Sequence, residues 1–151
     1  MRLRIMGELF LLVLACAFPV FGQDRTIEYG QPEELRGVTK VFVDTRTYVR
    51  QREMIVKALA RRLPNLQVVS RPEEADIHLR YSLKGLKNGQ CEGMGTVVKL
   101  VGVDRERVLL SVDDELPQIF EPVSMVSYAY KQARPLMFAI EFVRAYRRAN
   151  G

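Results

Sequence analysis

Residues 77–84 constrain the fold more than any other stretch. Ile77, Leu79, Tyr81 and Leu83 alternate with His78, Arg80, Ser82 and Lys84. A strict period of two sends alternate side chains to opposite faces, which is the geometry of an extended strand. The segment therefore belongs to a sheet with one apolar and one polar side. Such a sheet packs one side on a core and turns the other to water. The rest of the chain has to supply the covering helices and the neighbouring strands.

Residues 38–43, Val-Thr-Lys-Val-Phe-Val, are rich in β-branched and aromatic residues and predict a first strand that stops at Asp44. Thr47 can cap a helix over residues 48–63. Val49, Val56, Leu59 and Leu63 share one face of it with Ile55 at the margin, while Arg52, Lys57, Arg61 and Arg62 fall largely outside that face. Pro64 ends the hydrogen-bond ladder. Residues 66–69 predict a short second strand. Ser70 and Glu73 have capping-box spacing with Pro72 between them, and only about one helical turn fits before the strand at 77. Residues 85–95 read as a glycine-rich loop, and residues 96–103 and 108–112 as a hairpin joined by 104–107. Residues 116–134 read as irregular, with a short helix around 123–131. Pro135 suits the first turn of a last helix, whose apolar stripe is Ala139, Phe142, Val143, Tyr146 and Ala149. The arginines Arg144, Arg147 and Arg148 favour the negative end of that helix's dipole.

The resulting order is β-α-β-β-β-β-α over residues 38–151, preceded by a polar tail at 23–37 expected to be flexible. That order predicts an α+β fold with one sheet of about five strands. Only the first β-α-β unit implies a parallel pair, so the sheet is mixed and mostly antiparallel, with two amphipathic helices on one face.

No residue pattern points to a specific chemistry. His78 is the single histidine, so a histidine-pair metal site is excluded, and its place on the polar side of its strand predicts an exposed ring. No nucleophile-elbow sequence surrounds any serine. Cys91 stands beside Glu92, an anion that disfavours the thiolate. The glycines around it do not make a phosphate cradle, because such loops lead from a strand into a helix N-terminus and this one joins two strands. Asp113, Asp114 and Glu115 lack the spacing of a calcium loop. Nucleic-acid binding is disfavoured because Phe142 and Tyr146 lie on the core stripe rather than among the arginines. No catalytic residue, cofactor or metal is expected.

The N-terminal residues suggest a destination. Arg2 and Arg4 precede an uncharged apolar run at residues 9–18, and Val20-Phe21-Gly22 places small residues where a signal peptidase cuts. The run at 9–21 contains Pro19 and is shorter than the roughly 20 apolar residues a spanning helix needs. The expectation is a signal peptide at residues 1–22, cleaved after Gly22, and no transmembrane segment in the mature chain. Val13-Leu14-Ala15-Cys16 offers the alternative of a lipoprotein site, with Cys16 lipidated and the domain held at a membrane. Cleavage after Gly22 removes Arg2, Arg4 and Glu8, which lowers the formal charge from +5 to +4. Cys91 is then the only cysteine, so no internal disulfide can form. In an exported chain the mild positive charge fits a solvated surface or weak attraction to anionic envelope polymers.

Several segments resemble a group of small exported bacterial proteins: residues 41–44 (VFVD), 75–79 (ADIHL), 95–100 (GTVVKL), 105–109 (RERVL) and 138–146 (FAIEFVRAY). The strand order with its Ala75-Asp76 strand start is more remotely similar to the N-terminal domain of TolB translocation proteins and to curli-type secretion lipoproteins. The resemblance implies an envelope setting and an α+β sandwich, and it supplies no catalytic residues. The expected function is non-catalytic binding of an envelope protein or polymer in the periplasm or outside the cell. A lipid-anchored accessory using Cys16 and an enzyme using Cys91, His78 or residues 113–115 are the alternatives, and the oligomeric state is open.

Overall fold

The computed structural model describes residues 25–46, 49–85, 91–114 and 124–151. In chain order its elements are β1 (Thr26–Tyr29), β2 (Lys40–Asp44), α1 (Val49–Arg62), β3 (Gln67–Val69), β4 (Ile77–Gly85), β5 (Cys91–Val101), β6 (Arg105–Asp114) and α2 (Ser124–Asn150). Two single 3-10 turns, Pro32–Leu35 and Pro72–Glu74, lie between them. The fold is α+β. Its six-stranded mixed sheet has the order β1-β6-β5-β4-β2-β3. β2 is parallel to both β3 and β4, β1 is parallel to β6, and β4-β5 and β5-β6 are antiparallel.

The alternation at residues 77–84 decides which side is covered. Ile77, Leu79 and Tyr81 of β4 join Val41 and Val43 of β2 and Val97 of β5 in one core with Ile55, Ala58 and Leu59 of α1 and Phe138, Ala139, Phe142 and Val143 of α2. Both helices therefore pack on the same face. The buried side of α1 is centred on Ile55, Ala58 and Leu59, while Val49 is 68% exposed. The apolar pattern placed that side slightly differently because it weighted large side chains and passed over Ala58, whose small size lets a helix approach closely.

Five expectations are corrected. The polar segment at 23–37 is not a tail over its described part: it contains β1 and a turn whose Leu35 is fully buried in the core. Few apolar residues mark it, because β1 is held at the sheet edge by its backbone. α2 begins at Ser124 and runs through Pro135, which is buried inside the helix rather than in its first turn. Proline removes one ladder bond there, and packing of the following turns on the sheet outweighs that loss. β5 starts at Cys91, so Gly93 and Gly95 are strand residues and not loop markers. An added Cβ on Gly95 would stand 2.2 Å from Phe138. The glycine is there to admit the helix. Finally, the capping box at Ser70 and Glu73 does not form, since Arg71 occupies the N-cap without a side-chain bond. The β5-β6 turn is Gly102–Asp104, tighter than expected and made possible by Gly102 at φ +73°.

Candidate functional site on the helix-free face

With both helices on one side, the opposite side of the sheet is the place to look for recognition. Its composition follows from register. Val69 pairs with Phe42, Phe42 with His78, His78 with Val98, Val98 with Val108 and Val108 with Tyr29. Paired residues share a face, so one row of mostly apolar side chains crosses all six strands on the side away from the helices.

The two ends of this row differ. At the β3-β4 end it is covered. The connection from β3 to β4 has to pass β2, and its turn Pro72–Glu74 lies against His78, whose Nε2 donates to the Pro72 carbonyl at 3.0 Å. Phe42 meets the His78 ring edge-on with centroids 5.5 Å apart. His78 is consequently 5% exposed, which corrects the expectation of a solvent-facing ring. Burial pushes its pKa below the usual 6.5, opposed in part by the bond to Pro72, so the ring is a neutral packing element.

Next to His78 an ion-pair network lies across the strands. Glu106 accepts two bonds from the Arg80 guanidinium, at 2.6 and 2.8 Å, and one from Arg25 at 2.8 Å. These partners, Arg80 first, hold the Glu106 carboxyl down at about 2. The fork-on-carboxylate geometry fixes β4, β6 and the residue ahead of β1 together.

Beyond that network the row opens to solvent. Ile27 is 61% and Tyr29 85% exposed, and Val103 in the adjoining β5-β6 turn is 81% exposed. β1 donates to β6 through its alternate amides: Thr26 N–H meets the Asp104 carbonyl and Gly30 N–H the Val108 carbonyl, each at 2.9 Å. The amides of Ile27 and Tyr29 therefore point away from the sheet, as in any outer strand. This corner combines exposed apolar side chains with open strand backbone, the pairing used by surfaces that receive another polypeptide. Sequence reasoning missed it because it placed residues 23–37 outside the fold. The alternation of Ile27 and Tyr29 with Thr26 and Glu28 was the available signal.

Among the residues considered for catalysis, His78 lies apart from Cys91 and Asp113. His78 stands opposite Val98, whereas the Cys91 backbone stands opposite Gly85 at the far end of the β4-β5 ladder. Seven strand positions separate the two, about 23 Å at 3.3 Å per residue. Asp113 pairs with Met94, which pairs with Ser82, so it lies four positions from His78, or about 13 Å. Acid–base partners must come within hydrogen-bond reach. A His78–Cys91 or His78–Asp113 pair is therefore excluded. No group of three or more metal-ligating side chains occurs among the described residues. Cys16, the cleavage position after Gly22 and Glu115 lie outside the described residues. Among the described residues no helix is long and apolar enough to cross a membrane.

The resemblance motif at residues 75–79 acquires a structural meaning. Asp76 accepts the amides of Thr39 and Lys40, both at 2.8 Å, and the Thr39 hydroxyl at 3.1 Å. It pins the start of β2 to the start of β4. Comparison with known proteins adds no relative: no protein-family model matches the chain, and no curated protein matches it.

Proposed function

We propose that this chain is an exported domain of the bacterial cell envelope that binds a protein or an envelope polymer and has no catalytic site of its own. The observation that carries the reading is the open corner of the helix-free face, where Ile27, Tyr29 and Val103 stand exposed beside the edge of β1 that no described strand pairs. Isolated exposed apolar residues are common on any surface, but their concentration at a free strand edge favours a binding role. The distance of His78 from Cys91 and Asp113 along the ladder supports a binding role over an enzyme built on His78. The arginine-flanked apolar run at residues 9–18 and the small residues before Gln23 support export, and the envelope setting of the proteins it resembles agrees.

Crosslinking in envelope preparations tests the binding role. A photoreactive group at Tyr29 is expected to capture one dominant species, and Ile27→Asp is expected to abolish that capture while the circular dichroism spectrum stays unchanged. Capture that survives Ile27→Asp, or no adduct at all, contradicts the reading. A second reading keeps the domain and changes its attachment: Val13-Leu14-Ala15-Cys16 supports lipidation at Cys16, which would hold the same surface close to a membrane.

A further inference from the structure

The other side of the molecule carries an imbalance of charge that the fold explains only in part. α1 holds Arg50, Arg52, Lys57, Arg61 and Arg62 against one acid, Glu53. The last turns of α2 hold Arg144, Arg147 and Arg148 against Glu141. Arg147 donates to the Arg62 carbonyl at 3.0 Å, which brings the two sets side by side. Off the two helices, Arg25, Arg71, Arg80, Arg105 and Arg107 each meet a carboxylate, while Arg36 donates to the Ala149 carbonyl and Arg46 meets no carboxylate among the described residues. On the outer surface of the helices Arg144 does, with Glu141. Arg50, Lys57, Arg61, Arg62, Arg147 and Arg148 meet none among the described residues.

Part of this pattern has a folding reason. Arginines in the last turn of a helix favour the negative end of its dipole, and Arg148 reaches back to the Arg144 carbonyl. Arg50 has the opposite relation. It lies in the first turn of α1, where the dipole favours acids and where no acid is present. A cation there opposes its own helix, and gathering like charges across two helices adds repulsion. Local rules broken together on one surface point to a function.

We infer that the outer surface of α1 and α2 is a docking face for an anionic phospholipid bilayer. Guanidinium forks match headgroup phosphates, and cations close to an anionic leaflet add their attractions. Two helices lying beside each other on a sheet present a broad array rather than a groove, which suits a plane of headgroups. Exposed aromatic side chains, which a nucleic-acid strand would use for stacking, are missing from this array among the described residues. The inference concerns the side opposite the β1 corner, and its outcome is independent of whether the chain is exported.

Sedimentation with vesicles tests it, using the chain from Gln23 onward, which contains every described element. Binding is expected to vesicles containing roughly one-third phosphatidylglycerol, to be weak on pure phosphatidylcholine, and to fall steeply between ~0.05 M and ~0.5 M salt. The triple variant Arg50→Glu, Lys57→Glu, Arg61→Glu touches no described hydrogen bond and is expected to bind at least ~10-fold more weakly with an unchanged circular dichroism spectrum. A second set, Arg144→Glu, Arg147→Glu, Arg148→Glu, is expected to act in the same direction. Equal binding to neutral vesicles, or undiminished binding by both reversed chains, overturns the inference. Displacement from vesicles by long-chain polyphosphate at equal phosphate concentration also overturns it, in favour of a linear polyanion.

Discussion

Asp76 illustrates how one side chain holds two strands in register. Its Oδ2 takes three donors from Thr39 and Lys40, and these bonds, led by the Thr39 amide, lower its pKa. Asp76→Ala leaves the two amides at the start of β2 without their acceptor and is expected to cost about 1–3 kcal/mol in urea denaturation. His78 and Glu106 set the pH response. The folded state holds His78 below the usual 6.5, so between that lowered value and 6.5 the unfolded chain binds the extra proton, and stability falls as pH falls. The Glu106 contribution has a lower window: it is complete above the ordinary 4.5 and is lost as pH drops toward about 2. Urea midpoints at pH 7 and pH 5 should therefore differ in the wild type. His78→Leu should shrink that difference, and an undiminished difference would contradict the assignment. Glu106→Gln is expected to cost about 1–2 kcal/mol at neutral pH, the range for a partly exposed charged hydrogen bond. Of these roles only the alternation that places His78 and Arg80 together was legible in the residues. The burial of His78 depends on Pro72 crossing β2, a non-local event that no local pattern encodes.

At the scale of elements, the fold was legible wherever periodicity was strong. β4 and the second half of α2 announce themselves because apolar residues recur at the spacing of a strand and of a helix. β1 and the turn at 32–35 do not, because their attachment is backbone pairing, the ion pairs of Glu28 and Glu34 with Arg107, and one buried residue, Leu35. That difference gives a prediction: Leu35→Ala is expected to destabilise the protein by about 2–5 kcal/mol, as for other fully buried leucines, although the residue lies in a polar stretch. A cost below about 0.5 kcal/mol would return the segment to the status of a tail. The glycines of β5 misled for a related reason. Glycine reads as a loop former, yet Gly95 is the point where Phe138 of α2 meets the sheet. Gly95→Ala forces a side chain into the aromatic ring and is expected to cost about 1–3 kcal/mol, with a lowered thermal midpoint.

At the scale of the whole molecule, placing both helices on one side produces two unlike surfaces. The sheet side is stitched by ion pairs and ends in the exposed corner at Ile27 and Tyr29, and the helix side gathers cations. The sheet-and-helix layout could be anticipated from the chain, while the candidate corner could be anticipated only as a short alternating strand at residues 26–29, since its place beside β6 is set by non-local pairing. The proposed role rests on the chain meeting its partner outside the cytosol. Mass determination of the N-terminus, on protein recovered from cells expressing the full chain, addresses this directly. The account predicts a chain beginning at Gln23 in the periplasmic or extracellular fraction. Intact protein beginning at Met1 in the cytosolic fraction would contradict it.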